Sequence, residues 1–171
     1  LGINQIRLMP VYDFAEMTPR LELKGVPKTQ KEAVARATEQ LPEEEAWRMN
    51  YWGYGPGFYF APKSSYAASS DPDLELKQLI RAMHALGMEL ILEFPFTEDT
   101  DMLLILECLQ YWVQEYHVDG FALMARSTAC EELARLPMFR DVKLIGEWFP
   151  DSLVQKNARM WHSRLAESND G

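Results

Sequence analysis

The sequence contains few cysteines and histidines, and neither residue forms a metal or redox pattern. Cys108 and Cys130 are the two cysteines, and because Cys108 lies in an apolar helical segment we expect both to be free and buried. The three histidines lack ligand-like spacing, and no C-x-x-C or H-E-x-x-H motif occurs. G-x-S-x-G, P-loop and dinucleotide motifs are also missing. The sequence therefore predicts no metal site and no cofactor.

Basic charge and long apolar runs are also scarce. With 17 Lys and Arg against 26 Asp and Glu, the formal net charge is −9, which argues against nucleic acid or an anionic membrane as the main partner. No apolar run approaches membrane-spanning length and no signal peptide is recognisable, so the expected location is cytoplasmic. Because the chain starts at Leu1 in a strand-like run, we expect it to be a segment of a longer protein.

What the sequence does contain is typical of a globular domain with aromatic rings to spare. Hydrophobic residues make up 47% and charged residues 25% of the 171 residues, which excludes a disordered chain. Aromatic residues make up 12%, including five Trp and seven Tyr. Most of these rings are expected in the core, but enough remain for a surface that binds a neutral ligand such as a sugar.

Strand-like and helix-like segments alternate along the chain. Alternation with short connections predicts βαβ units and a parallel sheet. A doubly wound sheet would carry a Gly-rich turn after its first strand, which residues 11–14 do not provide, so a barrel or part of one is favoured. Residues 50–66 are predicted to be a long loop, and the charged residues 16–48 a helical loop insert in a single domain spanning 1–171. Strands are predicted at residues 3–10, 88–94, 118–123, 142–146 and from 163, and helices at residues 29–40, 71–87, 99–116, 128–136 and 152–161.

Several predicted strands end close to acidic residues. Parallel barrels place their reactive groups at these strand ends, and glycoside hydrolysis needs two carboxyl groups that flank one bond. The alternative is that such acids cap the helices that follow. Spacing alone leaves both interpretations open for Asp13, Glu93, Glu147, Glu167 and Asp170.

Longer motifs resemble the alpha-amylase family, glycoside hydrolase family 13, and look closest to its pullulanase, isoamylase and glycogen-debranching members. They correspond in order to the family's second to about sixth barrel strands, so the resemblance implies an α/β fold, a partial (β/α)8 TIM barrel. The motifs are LMPVYDF (8–14), NYWGYGPGFYFAPKSSYAASSD (50–71), ELKQLIRAMHALGMELIL (75–92), LQYWVQEYHVDGF (109–121), LIGEW (144–148) and RLAESNDG (164–171).

The resemblance also assigns roles to residues. Glu147 takes the position of the family's proton donor, and Tyr54 that of a ring that stacks on the sugar beside the cleavage point. Trp52, Trp148 and Asp170 are expected to be further substrate contacts. The implied ligand is an α-glucan such as starch, glycogen or pullulan.

The departures from the family pattern fall at its catalytic positions. Where the family continues D-G-F-R-F-D at the fourth strand, this sequence has DGFALM. Ala122 replaces an arginine that helps to position the nucleophile, and Met124 replaces the nucleophilic aspartate. At the third strand, D-V-V-F-N-H becomes EFPFTE, so Glu93 replaces the aspartate and Thr97 and Glu98 replace two substrate contacts. A thioether cannot form the glycosyl-enzyme intermediate of a retaining hydrolase.

Three functional interpretations follow and remain open. The chain is a segment of an α-glucan-metabolising barrel that lacks the retaining nucleophile, with Glu93 or Glu167 as a substitute carboxylate if hydrolysis persists. Alternatively, it is a non-catalytic module that binds α-glucan through the loop around Trp52 and Tyr54. In the third interpretation the chain has no activity of its own, and because an incomplete barrel has open sheet edges it self-associates into a homo-oligomer.

Overall fold

Nine strands and three α-helices are present in the part of the chain that the computed structural model describes, residues 2–19, 47–123, 127–146 and 165–167. The helices are α1 (Pro72–Ala85), α2 (Met102–Tyr116) and α3 (Ser127–Ala134), and single 3-10 turns occur at Ser64–Tyr66 and Pro137–Phe139. The strands are β1 (Gln5–Leu8), β2 (Tyr12–Phe14), β3 (Met17–Pro19), β4 (Trp47–Met49), β5 (Gly57–Pro62), β6 (Glu89–Glu93), β7 (Gly120–Leu123), β8 (Lys143–Gly146) and β9 (Leu165–Glu167).

A parallel sheet forms the centre of the larger of two compact units, residues 1–14 with 54–171. Its strand order is β1-β6-β7-β8-β9, and all four neighbouring pairs are parallel. The helices α1, α2 and α3 connect successive strands, as the alternation of segments predicted. This order confirms the predicted α/β class. Strands β1 and β9 are the outer strands of this sheet. Self-association through these two edges stays a prediction.

The two faces of the sheet differ in character. Residues that are paired in parallel register project to the same side, so the face that carries Leu90 and Leu92 also carries Phe121, Leu123 and Leu144. All five are buried and join one core cluster with the buried residues of the helices. On the opposite face Arg7, Ile91, Glu93 and Ala122 follow one another across β1, β6 and β7, and this face carries the site.

Helix α1 begins and ends where the sequence predicted. The Asp71 carboxylate accepts a hydrogen bond from the Leu74 amide at 3.0 Å, and Pro72 occupies the first turn, where its missing N–H costs nothing. After the helix, Gly87 adopts a left-handed φ of 72°, which glycine reaches without a Cβ clash.

Helix α2 begins slightly later than predicted, because Asp101 caps it by accepting from the Leu103 amide at 2.8 Å. Its buried residues have the i, i+3, i+4, i+7 spacing of one face: Ile105, Cys108, Leu109, Trp112 and Tyr116. The apolar run of α2 predicts Leu103 to be buried, but it is 58% exposed, because it lies two residues before this stripe and therefore on the far side of the helix. The helical spacing of the apolar residues in α1 predicts Leu79 on the buried face, but it is likewise exposed.

The prediction that residues 50–66 form an irregular loop was wrong in part. Gly57–Pro62 is strand β5, which pairs antiparallel with β2. The pairing brings the two backbones so close that a Cβ on Gly57 would lie 2.5 Å from the Asp13 carbonyl oxygen. A partner more than 40 residues away stabilises this strand, and helical or alternating periodicity does not reveal such a partner.

The smaller unit comprises residues 15–53, and its described part is a two-stranded antiparallel ribbon. Strand β3 pairs with β4, with Met17 opposite Met49. Beyond the strands, the Asn50 amide donates to the Glu16 carbonyl at 2.7 Å, and the Asn50 side-chain oxygen accepts from the Gly53 amide. The predicted helix at 29–40 lies outside the described residues, as does the one at 152–161.

Both cysteines are free and buried, as predicted. Burial raises the pKa of the Cys130 thiol to about 12, and it also raises the pKa of Cys108, because a low-dielectric surrounding disfavours the thiolate. Burial therefore favours the thiol form of both cysteines in the folded protein. None of the helices α1, α2 and α3, which lie in the described part of the chain, combines the length and the apolar composition of a membrane-spanning segment.

Candidate functional site

A buried carboxylate lies at the carboxyl end of β6, where parallel barrels place their chemistry. The Glu93 side chain is only 3% exposed. One of its oxygens is 2.5 Å from Nε of Arg7 on the neighbouring strand β1, and the other accepts a hydrogen bond from the Tyr54 hydroxyl. A desolvated carboxylate is stable only when it is paired in this way.

Tyr12 contacts the residues that follow Tyr54 and Glu93 in the chain. Its hydroxyl donates to the Gly55 carbonyl at 2.5 Å, and its ring stacks on Phe94 with centroids 5.4 Å apart. Gly55 follows Tyr54 in the chain and Phe94 follows Glu93, so one buried side chain fixes both segments. Burial raises the pKa of the Tyr12 hydroxyl far above its usual value, which keeps it a hydrogen-bond donor.

Helix α2 anchors β5 behind this arrangement. Trp112 is fully buried, and its indole N–H donates to the Tyr59 carbonyl at 2.7 Å. The Cys108 thiol donates to the same oxygen at 3.6 Å. Because Phe94 also meets the Trp112 ring edge-to-face, the tryptophan connects the helix, β5 and the end of β6 in one aromatic cluster.

The Tyr54 ring itself is accessible, with 45% of the residue exposed. A ring that is held at its hydroxyl and belongs to a partly exposed residue can stack on the apolar face of a sugar. Trp52 is also exposed but belongs to the smaller unit.

Asp13, another acid at a strand end, is bound to the buried Lys63 at 3.2 Å, so it is engaged in holding β2 against β5.

Of the residues predicted from the sequence, Tyr54 and Glu93 are brought together. Met124, Glu147, Trp148 and Asp170 lie outside the described residues, and Glu167 is described only as part of β9. Ala122 is in register with Glu93 and fully buried. Among the described side chains, no group of three or more His, Cys, Asp or Glu could hold a metal ion.

Arg7 and Tyr12 are the site residues that sequence reasoning missed. Arg7 is a single charge inside the predicted first strand, and a charge on a strand otherwise expected to be buried is a signal for a buried partner. Tyr12 lies in the LMPVYDF motif, but its role depends on contacts 43 residues away. No local pattern contains that information.

No family model matches the chain, but individual relatives and solved structures do. It is 23% identical over 227 aligned residues to the glycogen operon protein GlgX homolog of Haemophilus influenzae, with 99% of the chain and 31% of the relative covered. It is 26% identical to the glycogen debranching enzyme of Dickeya chrysanthemi, with the same coverage. For isoamylase 3, chloroplastic, of Oryza sativa, identity is 27% and coverage is 76% and 21%.

Two solved pullulanases share the fold. The enzyme of Paenibacillus barengoltzii, in complex with maltohexaose and alpha-cyclodextrin, superposes with a TM-score of 0.57 at 21% identity, covering 99% of this chain and 32% of that one. Pullulanase type I of Bacillus subtilis, complexed with maltose, gives a TM-score of 0.59 at 22% identity, with 99% and 28% covered.

The fold is therefore a partial (β/α)8 barrel of the alpha-amylase type, as the motifs implied. The chain spans about a fifth to a third of the length of the curated relatives above. Within that span, it is related to the debranching-type members of glycoside hydrolase family 13.

Proposed function

We propose that this chain is the α-glucan-recognising part of a debranching-type barrel, and that it does not cleave glucan by the retaining mechanism. The observation that carries the proposal is the Tyr54 ring, exposed at the carboxyl end of the sheet and held by Glu93. The relatives are named for glycogen debranching, and one structural neighbour is complexed with maltohexaose. A neutral glucan is also compatible with the net charge of −9.

The loss of retaining chemistry rests on Met124. Its thioether carries no charge to stabilise an oxocarbenium ion and cannot form a stable glycosyl ester. Ala122 removes the arginine that the family uses to position the nucleophile. Glu147 keeps the proton-donor position, and Trp52, Trp148 and Asp170 remain proposed glucan contacts.

The partners of Glu93 argue against its use as a substitute nucleophile. One carboxylate oxygen faces the Arg7 guanidinium and the other accepts from Tyr54. A nucleophile must reach the anomeric carbon of the sugar, and the Glu93 side chain, with a partner on each oxygen, is only 3% exposed. The role that we assign to Glu93 is to hold the ring. Hydrolysis by Glu93 or Glu167 with Glu147 as an inverting pair is the alternative.

Replacing Tyr54 with alanine is expected to weaken maltohexaose binding by about tenfold, because stacking and apolar contact with one ring together contribute on the order of 1.4 kcal/mol. Isothermal titration calorimetry measures the dissociation constant. Tyr66→Ala is the matched control, since Tyr66 is an exposed tyrosine on a 3-10 turn, and it should change the constant less than about twofold. Equal affinities for wild type and Tyr54→Ala would exclude the ring as the binding surface.

A further inference from the structure

The cation that neutralises Glu93 comes from an unexpected strand. In the parallel sheet, Glu93 on β6 has Ala122 of β7 directly beside it, and Ala122 offers only a methyl group. On the other side, Arg7 of β1 is paired with Ile91, two residues before Glu93, and therefore projects to the same face. A guanidinium can reach diagonally over that distance, and its Nε lies 2.5 Å from the carboxylate.

The arrangement divides the carboxylate between two partners. Arg7 engages one oxygen and the Tyr54 hydroxyl the other, so the position of the second oxygen depends on the first. Glu93 is 3% exposed whereas Arg7 is 35% exposed, which makes the arginine the link between the buried carboxylate and solvent. Charge-assisted hydrogen bonds of this kind are short and directional, so they can fix the orientation of a ring.

We propose that Arg7 is a positioning residue for glucan recognition. It pairs with Glu93, which has no cation beside it on β7, and through Glu93 it orients the Tyr54 ring. The inference rests on the proposed function of Tyr54. Arg7 acts through Glu93 and Tyr54 and does not itself contribute to the affinity for the glucan. Its effect on affinity must therefore disappear when the ring is removed.

A double-mutant cycle tests this dependence. Maltohexaose affinity is measured by calorimetry for wild type, Arg7→Met, Tyr54→Ala and the double variant. Arg7→Met is expected to weaken binding about fivefold or more on its own, and less than about twofold in the Tyr54→Ala background, because coupled residues are not additive. Arg81→Met, which removes an exposed cation from α1, is the matched control and should leave the affinity within about twofold of wild type.

Thermal melting identifies variants that have not folded. If Arg7→Met does not fold, Arg7→Lys replaces it in the same cycle, since lysine keeps the charge but not the planar fork of donors. We expect Arg7→Lys to weaken binding by about twofold or more, again only when Tyr54 is present.

The possible failures are distinguishable. If Tyr54→Ala weakens binding but the effect of Arg7→Met or Arg7→Lys is absent, or is the same with and without the ring, the positioning role is overturned while the proposed function stands. If wild type and Tyr54→Ala bind equally, the proposed function itself is wrong.

Discussion

Incubation of the protein with pullulan, glycogen or starch is expected to release no reducing ends above an enzyme-free blank. Removing the nucleophile of a covalent mechanism costs on the order of 10⁴–10⁶ in kcat even where binding survives, and the motif resemblance assigns the nucleophile position to Met124. A reducing-end assay over hours detects turnover many orders of magnitude below that of a working debranching enzyme. A pullulanase assayed in parallel is the positive control.

Release of reducing ends would identify a rescue by other carboxylates. If it occurred and Glu147→Gln abolished it, Glu147 would be acting as a proton donor and the proposal of recognition without cleavage would be wrong. Glu93→Gln would then test whether the carboxylate bound by Arg7 serves as the second catalytic group. An inverting pair requires the two carboxyl groups about 6.5–9.5 Å apart.

Replacing Trp112 with alanine is expected to lower the free energy of unfolding by about 3–5 kcal/mol, as is typical when a fully buried large aromatic side chain is deleted. The indole packs between Phe94 and Tyr116, and it donates to the Tyr59 carbonyl of β5. Its loss therefore leaves a cavity and a buried acceptor with one fewer donor. Urea unfolding followed by circular dichroism measures the change.

Two further variants show how much of this loss comes from the indole hydrogen bond and how much an exposed position on the same helix contributes. Trp112→Phe keeps most of the ring but removes the donor, and it should cost about 1–2 kcal/mol. Leu103→Ala, on the exposed side of the same helix, should change the free energy of unfolding by less than about 0.5 kcal/mol. A loss for Trp112→Ala no larger than that for Leu103→Ala would contradict the assigned role of the tryptophan.

The main sheet and its helices were predictable because their signals are local. Asp71, Pro72 and Gly87 mark the ends of α1 within one stretch of sequence, and the structure uses each of them. The parallel order followed from the alternation of strands and helices with short connections. The motifs then identified the barrel as amylase-like, which the solved pullulanases confirm at the level of the fold.

The contacts that build the site were not predictable, because they join residues far apart in sequence. Tyr54 and Glu93 are 39 residues apart, and Tyr12 meets Gly55 across 43 residues. Strand β5 exists because β2 pairs with it, and aromatic residues in a Gly- and Pro-rich stretch gave no sign of that pairing. The motif resemblance predicts that Tyr54 contacts a glucan but contains no information on Arg7.

Gly120 illustrates what a motif match leaves unexplained. The VDGF run resembles the family's fourth strand, but only the structure gives the physical reason for the glycine. A Cβ at that position would lie 2.6 Å from both the Lys143 carbonyl oxygen and Cδ1 of Ile91. A side chain at position 120 would therefore clash with the backbone of β8 and with the Ile91 side chain of β6.

The most direct test of recognition without cleavage is native electrophoresis through a gel cast with amylopectin and stained afterwards with iodine. A protein that binds the glucan through Tyr54 and leaves it intact should migrate more slowly than in a gel without glucan, in a lane of uniform iodine colour. Unretarded migration would contradict α-glucan recognition, and a changed colour around the band would show that the glucan had been cleaved.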